Sequence, residues 1–175
     1  MVMSVYALLE EMRGKLDQAQ SLINEETPLW LQAAMGEVAA GVHEIRGRRH
    51  EAQILAYLAT CKNIGDWGKS RDETPWCSAF VNWCMARSGI EGTNSAAARS
   101  WAGWGQELDP ASRVRGAVVV LSRTGGNHVA LDTGRTGASG AWLLCGGNQK
   151  DSASISPYSE ARVHGYRWPS CVPIP

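Results

Sequence analysis

The hydrophobic pattern changes its period once along this chain, and that change limits the folds open to it. In the first hundred or so residues the apolar side chains recur at helical spacing, whereas from Gly116 onward they form short β-branched runs such as Ala117 to Leu121. Helices that come first and strands that come later are typical of the α+β class. The 175 residues are enough for one domain, since domains have roughly 100–200 residues.

The first part of the chain is predicted to form five helices. An apolar stripe that includes Leu9, Met12 and Leu16 indicates the first of them. Two Thr-Pro pairs are typical helix starts, with the threonine as N-cap and the proline as the first helical residue. The helices are expected over residues 4–24, from Thr27-Pro28 to Gly41, over about 49–61, from Thr74-Pro75 to Gly89, and over 96–104.

The second part is predicted to form a small antiparallel sheet on which the helices pack. Gly125-Gly126 and the glycine-rich segment 134–140 are turn signals between apolar runs. The strands are expected over residues 117–121, 128–132, 141–145 and near 163–167.

Composition excludes several classes of function. Seventeen basic residues balance seventeen acidic ones, so the chain lacks the basic excess of nucleic-acid-binding proteins. No segment reaches the roughly 20 apolar residues of a membrane span, and Met1 to Leu9 lacks the basic start of a signal peptide. The five cysteines are scattered without a two-residue gap, which argues against a disulfide framework and a zinc site. We predict no metal and no cofactor.

Cys77 is the leading candidate for a nucleophile. If Thr74 caps the helix, Cys77 lies in its first turn, where free N–H groups and the helix dipole favour a thiolate of lowered pKa. The same N–H groups could stabilise an oxyanion. The alternative is that Cys77 is a buried core thiol, which is the expectation for Cys84 two turns further on.

His128 is the leading candidate for the base that a cysteine nucleophile needs. It follows a Gly-Gly turn at the start of a predicted strand, where a side chain is exposed at the end of a sheet. His43 and His50 flank a basic segment and are expected to be solvated, and His164 fits either surface or core.

Asn148 is the better candidate for orienting the imidazole of His128. A hairpin centred near residue 137 places position 146 opposite His128 and Asn148 diagonal to it on the same face. Asp132 shares that face but lies further from the strand end, so it is held in reserve. The alternative is that Gly-Gly-Asn serves only as a turn.

The residues around Cys77 read Asp72-Glu73-Thr74-Pro75-Trp76-Cys77-Ser78-Ala79-Phe80-Val81-Asn82-Trp83-Cys84. This segment resembles the nucleophile helix of papain-like cell-wall hydrolases of the CHAP and NlpC type, from bacteria and phages. The resemblance covers roughly Pro28 to Pro169, and its histidine and asparagine motifs follow the cysteine motif in papain-like order. Its other motifs are Ser100-Trp101, Trp104-Gly105, Gly116 to Leu121, Gly126-Asn127-His128-Val129, Gly146-Gly147-Asn148-Gln149 and Gly165-Tyr166-Arg167.

The resemblance implies a papain-like domain over residues 28–175 with a helical extension over residues 1–27. It also implies cleavage of a peptidoglycan amide, by a stem-peptide endopeptidase or an N-acetylmuramoyl-L-alanine amidase. Cys77 would attack the carbonyl and form a thioacyl-enzyme, His128 would accept and return the proton, and Asn148 would hold the imidazole.

Candidate substrate-binding residues surround the predicted nucleophile helix. Trp67, Trp76, Trp101 and Trp104 would stack on sugars or stem peptides, or else fill the core. Glu73 could stabilise the helix start, bind an amino group of a stem peptide, or be a solvated carboxylate.

Two other classes of function remain open from the sequence. One is a cell-wall-binding module without catalysis, and the other is a scaffold of a phage particle or secretion apparatus that docks through its N-terminal helix. The chain is expected to be made in the cytoplasm and to reach the wall after phage lysis, on a phage tail or by injection. Expected partners are peptidoglycan, delivery machinery, an immunity protein, or a second copy bound through residues 4–24.

Overall fold

Helices lead into a sheet in the computed structural model, which describes residues 5–25 and 27–175, with the side chains of residues 5–16 and 27–175. The α+β class is therefore confirmed. The helices are α1 (Val5–Glu25), α2 (Leu29–Ala39), α3 (Ala52–Ala59), α4 (Asp66–Lys69) and α5 (Cys77–Arg87). The strands are β1 (Gln106–Glu107), β2 (Val118–Arg123), β3 (Gly126–Thr136), β4 (Trp142–Gly146), β5 (Ser154–Tyr158) and β6 (Val163–Trp168).

The six strands form one antiparallel sheet in the order β1-β6-β2-β3-β4-β5. The four predicted strands are present as β2, β3, β4 and β6, whereas β1 and β5 were not predicted. A two-residue turn joins β2 to β3, and Gly125 adopts there a φ of +80°, which a glycine takes without strain. This hairpin sets Leu121 opposite His128.

Helix α5 connects the helical layer to the sheet. It packs against α2 and α3 and against β3 and β4. Its buried Phe80 contacts the ring of Tyr57 from α3 edge-to-face, with the ring centroids 5.4 Å apart. Helix α5 packs on β3, and the thiol of its first residue, Cys77, interacts with the N–H of Val129, the residue after His128.

Several helix boundaries differ from the predicted ones. Helix α5 begins at Cys77, and Thr74 does not cap it, because the Thr74 hydroxyl donates instead to the carbonyl of Gly68 at 2.7 Å. Helix α3 is shorter than predicted, since Glu51 caps it by accepting from the N–H of Gln53. The segment predicted over 96–104 is a 3₁₀ helix, Ala98–Gly103.

Helix α1 is present as predicted, and its described side chains are exposed. All side chains from Val5 to Leu16 are exposed, including the apolar Leu9, Met12 and Leu16. Among the described helices, none combines the length and the apolar character needed to cross a lipid bilayer.

Candidate active site

Cys77 lies at the N-terminal end of α5 and is almost completely buried. Only 5% of the residue is exposed. Its thiol interacts with the backbone N–H of Val129, the residue that follows His128, and with the N–H groups of Ser78 and of Cys77 itself. The structure therefore places the predicted nucleophile beside the strand that carries the predicted base.

The charge state of Cys77 differs from the prediction. Burial raises the pKa of the Cys77 thiol, although the N–H of Val129 and the positive charge of Arg123 act in the opposite direction. The hydration free energy that a thiolate loses on burial is larger than the electrostatic stabilisation that the N–H groups at the helix start provide. In this structure the free protein therefore carries Cys77 as a neutral thiol, not as the preformed thiolate expected from the helix position.

His128 is buried at the start of β3 and lies between a glutamine and a tyrosine. Its Nε2 lies 3.3 Å from Oε1 of Gln149. Its ring stacks on the ring of Tyr158, with centroids 5.5 Å apart and planes inclined by 26°. The predicted base is thus held on two sides, and Gln149 is its polar partner.

The hydrogen bonds of Gln149 fix which nitrogen of His128 carries the proton. The Gln149 amide nitrogen donates to the carbonyl oxygens of Gly146 at 3.2 Å and Ser154 at 2.6 Å. Its Oε1 accepts from the hydroxyl of Tyr158 at 2.8 Å, so the amide cannot be flipped without facing two carbonyls. Because Oε1 faces His128, Nε2 must be the protonated nitrogen and Nδ1 the basic one.

His128 is also neutral at physiological pH. Burial lowers the pKa of His128 to about 4; the hydrogen bond to Gln149 opposes this shift, and the charges of Arg123 and Arg162 add to it. The imidazole of His128 and the thiol of Cys77 are thus both neutral, so the base has not yet taken the proton. Proton transfer would then accompany the attack on a substrate rather than precede it.

The side-chain amide of Asn148 donates to Glu44 and not to His128, contrary to the predicted diagonal pairing. Leu131 pairs with Cys145, two positions away from the predicted register, and β4 ends at Gly146 before the pairing reaches His128. Asn148 then adopts a left-handed φ of +55°, and its amide donates to Oε1 of Glu44 at 3.1 Å. The contact expected of Asn148 is made by its neighbour, Gln149.

Asp132, the reserve orienting group, belongs to a different network. Its carboxylate forms an ion pair with Arg113, whose Nε lies 3.0 Å from Oδ2. It also accepts from the hydroxyl of Tyr166 at 3.0 Å and from the N–H of Gly134 at 2.8 Å. Asp132 therefore joins β3 to its neighbours and does not orient His128.

Two of the four candidate tryptophans fill the core, whereas Trp67 is exposed and carries the guanidinium of Arg71 over its ring, 4.5 Å from the centroid. Trp76 and Trp101 are completely buried, with their indole nitrogens donating to Glu44 and Ser78 respectively. Trp104 is half-buried and donates to the carbonyl of Glu91. Trp76 and Trp101 are core residues in this structure, because a completely buried ring has no face to offer a ligand.

Glu73 lies in a separate polar group with His50 and Asp72. Asp72 accepts from His50 Nδ1 at 2.9 Å and from the N–H groups of Ile45 and Glu51. Burial opposes ionisation of Asp72, but these donors together lower its pKa. His50 is thus bonded rather than solvated as predicted. Both oxygens of Asp72 already accept hydrogen bonds from the chain.

A cavity of about 440 Å³ opens onto His128. Gln149 and Tyr158 form part of its wall, together with Asn148, Ser156 and Pro157. The remaining lining residues are three cations, Arg123, Lys150 and Arg162. Sequence reasoning missed Gln149, Tyr158 and these cations. The one available signal was that Gln149 ends the Gly-Gly-Asn-Gln motif.

No known protein-family model matches this chain, and no curated protein matches it either. The resemblance to papain-like cell-wall hydrolases therefore depends on the motifs given above.

Proposed function

We propose that this chain is a cysteine-dependent hydrolase that cleaves an amide bond of peptidoglycan, as a stem-peptide endopeptidase or an N-acetylmuramoyl-L-alanine amidase. The observation that carries the proposal is the buried His128, whose tautomer Gln149 fixes, one residue before the Val129 N–H that interacts with the Cys77 thiol. A histidine that only fills the core needs no more than hydrogen-bond partners for its ring nitrogens. His128 instead has a proton-free, basic nitrogen, Nδ1, and lines a cavity.

The proposed reaction has two halves. Sγ of Cys77 attacks the amide carbon while Nδ1 of His128 takes the thiol proton, and the N–H groups at the start of α5 stabilise the oxyanion. The C–N bond breaks, the amine leaves with the proton from His128, and a thioacyl-enzyme remains. Water then attacks the thioester, passes one proton to Nδ1, and releases the acid and the Cys77 thiol.

Gln149 takes the positioning role that the resemblance implies for Asn148. Its Oε1 accepts from Nε2 of His128 and so stabilises the imidazolium that forms in each half-reaction. Asn148 supports the site less directly, by holding Glu44.

The alternative is a wall-binding or scaffolding protein without catalysis, and the burial of Cys77 with its raised pKa is the observation that favours it. Incubating purified peptidoglycan with the protein and identifying fragments by mass spectrometry separates the two. We expect new fragments from the wild type and from Cys171→Ala, whose cysteine is exposed, but none from Cys77→Ala. Fragments from Cys77→Ala would contradict the proposal, and the absence of fragments with intact binding would support the alternative.

A further inference from the structure

Two arginines that pair with no described carboxylate flank the candidate active site. Arg123 at the end of β2 and Arg162 before β6 both line the cavity that contains His128. The same two arginines line an adjoining cavity of about 550 Å³ with Ser122 and Thr124. Neither cavity is lined by an aspartate or glutamate, and among the described residues no carboxylate forms an ion pair with either arginine.

Arg162 is fixed in place by contacts that leave its outer nitrogens free for a ligand. Its Nε donates to the carbonyl oxygen of Ser122 at 2.8 Å. Its guanidinium carbon lies 5.2 Å from the centroid of Tyr158, the ring that also stacks on His128. No described residue accepts a hydrogen bond from its two Nη atoms. A fixed guanidinium fork with free Nη donors matches the geometry of a carboxylate.

The charge balance of the whole chain makes this local excess informative. Basic and acidic residues are equal in number, so the positive field at the cavity comes from their distribution, not from an overall excess. Uncompensated cations beside a base are unfavourable in the free protein, because they oppose formation of the imidazolium. A bound anion would remove that cost when the substrate arrives.

We propose that Arg123 and Arg162 form a binding subsite for a substrate carboxylate next to the amide that Cys77 attacks. This inference rests on the proposed function and narrows its substrate class to stem peptides with a free carboxylate near the scissile bond. A peptide that carries a neutral carboxamide at that position would be a poor ligand.

The test measures the binding of synthetic stem peptides to Cys77→Ala protein by calorimetry, so that cleavage does not interfere. One peptide keeps every carboxylate, and in the others one carboxyl at a time is a carboxamide. We expect one amidation to weaken binding about ten- to hundredfold, as for the loss of a charge-assisted hydrogen bond. Adding Arg162→Gln or Arg123→Gln should reduce that difference, whereas Arg99→Gln, at an exposed arginine outside both cavities, should leave it unchanged.

Equal binding of all the peptides to Cys77→Ala would overturn the subsite, as would a preference that persists in the Arg123→Gln/Arg162→Gln double variant. The first of these results needs no arginine variant, so it does not depend on how the variants fold. Selective binding without any peptidoglycan cleavage by the wild type would uphold the subsite and refute the proposed function. Cleavage by the wild type together with equal binding of all the peptides would refute the subsite and uphold the proposed function.

Discussion

At the scale of single residues, Gln149 determines which ring nitrogen of His128 is free to accept a proton. The Gln149 amide is bonded through both of its ends, so it presents an acceptor to Nε2 and leaves Nδ1 basic. Gln149→Ala should lower kcat/KM about a hundredfold, in the range of acid–base contributions. Asn148→Ala should cost less, because the Asn148 amide donates its hydrogen bond to Glu44 and not to the imidazole.

The pH profile of kcat/KM distinguishes positioning by Gln149 from a structural defect. The hydrogen bond that His128 donates to Gln149 raises the pKa of His128 against the effect of burial, so Gln149→Ala should move the acid limb of the profile to lower pH. A profile that falls in height without moving would indicate structural damage only. A larger loss from Asn148→Ala than from Gln149→Ala would show that the orienting residue is misassigned.

The buried imidazole of His128 should also make stability depend on pH. Its pKa is about 4 in the folded protein and about 6.5 in the unfolded chain, so the unfolded chain binds the proton first as the pH falls. The free energy of unfolding that depends on neutral His128 is fully present above pH 6.5 and is lost as the pH falls from about 6.5 to 4. The total loss is about 3 kcal/mol, at about 1.4 kcal/mol per pKa unit. Urea unfolding of the wild type and His128→Asn at several pH values measures it. Equal pH dependence in both proteins would contradict it.

At the scale of elements, the end of β4 must pass closely against α5. A Cβ on Gly147 would lie 2.7 Å from Cβ of Phe80 and would clash with the ring of Trp76. Gly147→Ala should therefore lower the free energy of unfolding by about 1–3 kcal/mol, the cost of overpacking, and displace Gln149 from His128. Thermal unfolding and kcat/KM measure the two effects.

Gly36→Ala is the control for this prediction. Gly36 lies in α2, and a Cβ added there would meet no other atom within 4 Å outside its own helix backbone and chain neighbours. Alanine also favours a helix over glycine. We expect the stability of this variant to be unchanged or slightly higher. A Gly147→Ala protein as stable and active as Gly36→Ala would refute the close approach.

Much of the element order was predictable from sequence, and the errors have physical causes. Strand β5 was missed because Ser154–Tyr158 lies at the sheet edge, is only partly buried and contains Pro157, so it lacks a strand-like apolar run. Cys77 lies in the first turn of its helix, as predicted, and His128 lies near the start of its strand. Gln149 was not identified, because the register is shifted and the left-handed Asn148 redirects the chain beyond β4. Neither feature is visible in the periodicity of the sequence.

At the scale of the whole molecule, α1 stands apart from the candidate site. Its described side chains are exposed, and neither of the cavities beside His128 is lined by it. Deleting residues 1–24 should leave peptidoglycan cleavage by the purified protein within about twofold, since surface changes away from core and site have small effects. The deletion should change oligomeric state or delivery, because several leucine-sized side chains gain a few kcal/mol by docking, at about 25 cal/mol per Å².

Light scattering and a bacterial competition assay measure these two effects of the deletion. A truncated protein that is folded and soluble but inactive on isolated peptidoglycan would show that α1 belongs to the catalytic unit.

In the proposed reaction Cys77 forms a covalent acyl-enzyme, although the free protein holds it as a buried, neutral thiol. The most direct measurement is intact-protein mass spectrometry after acid quenching of the protein with a stem peptide that it cleaves. We predict an added mass equal to the acyl fragment, mapped to the peptide that contains Cys77 and absent from Cys77→Ala. Cleavage without an adduct in the wild type, accompanied by undiminished cleavage in Cys77→Ala, would contradict a covalent role for Cys77.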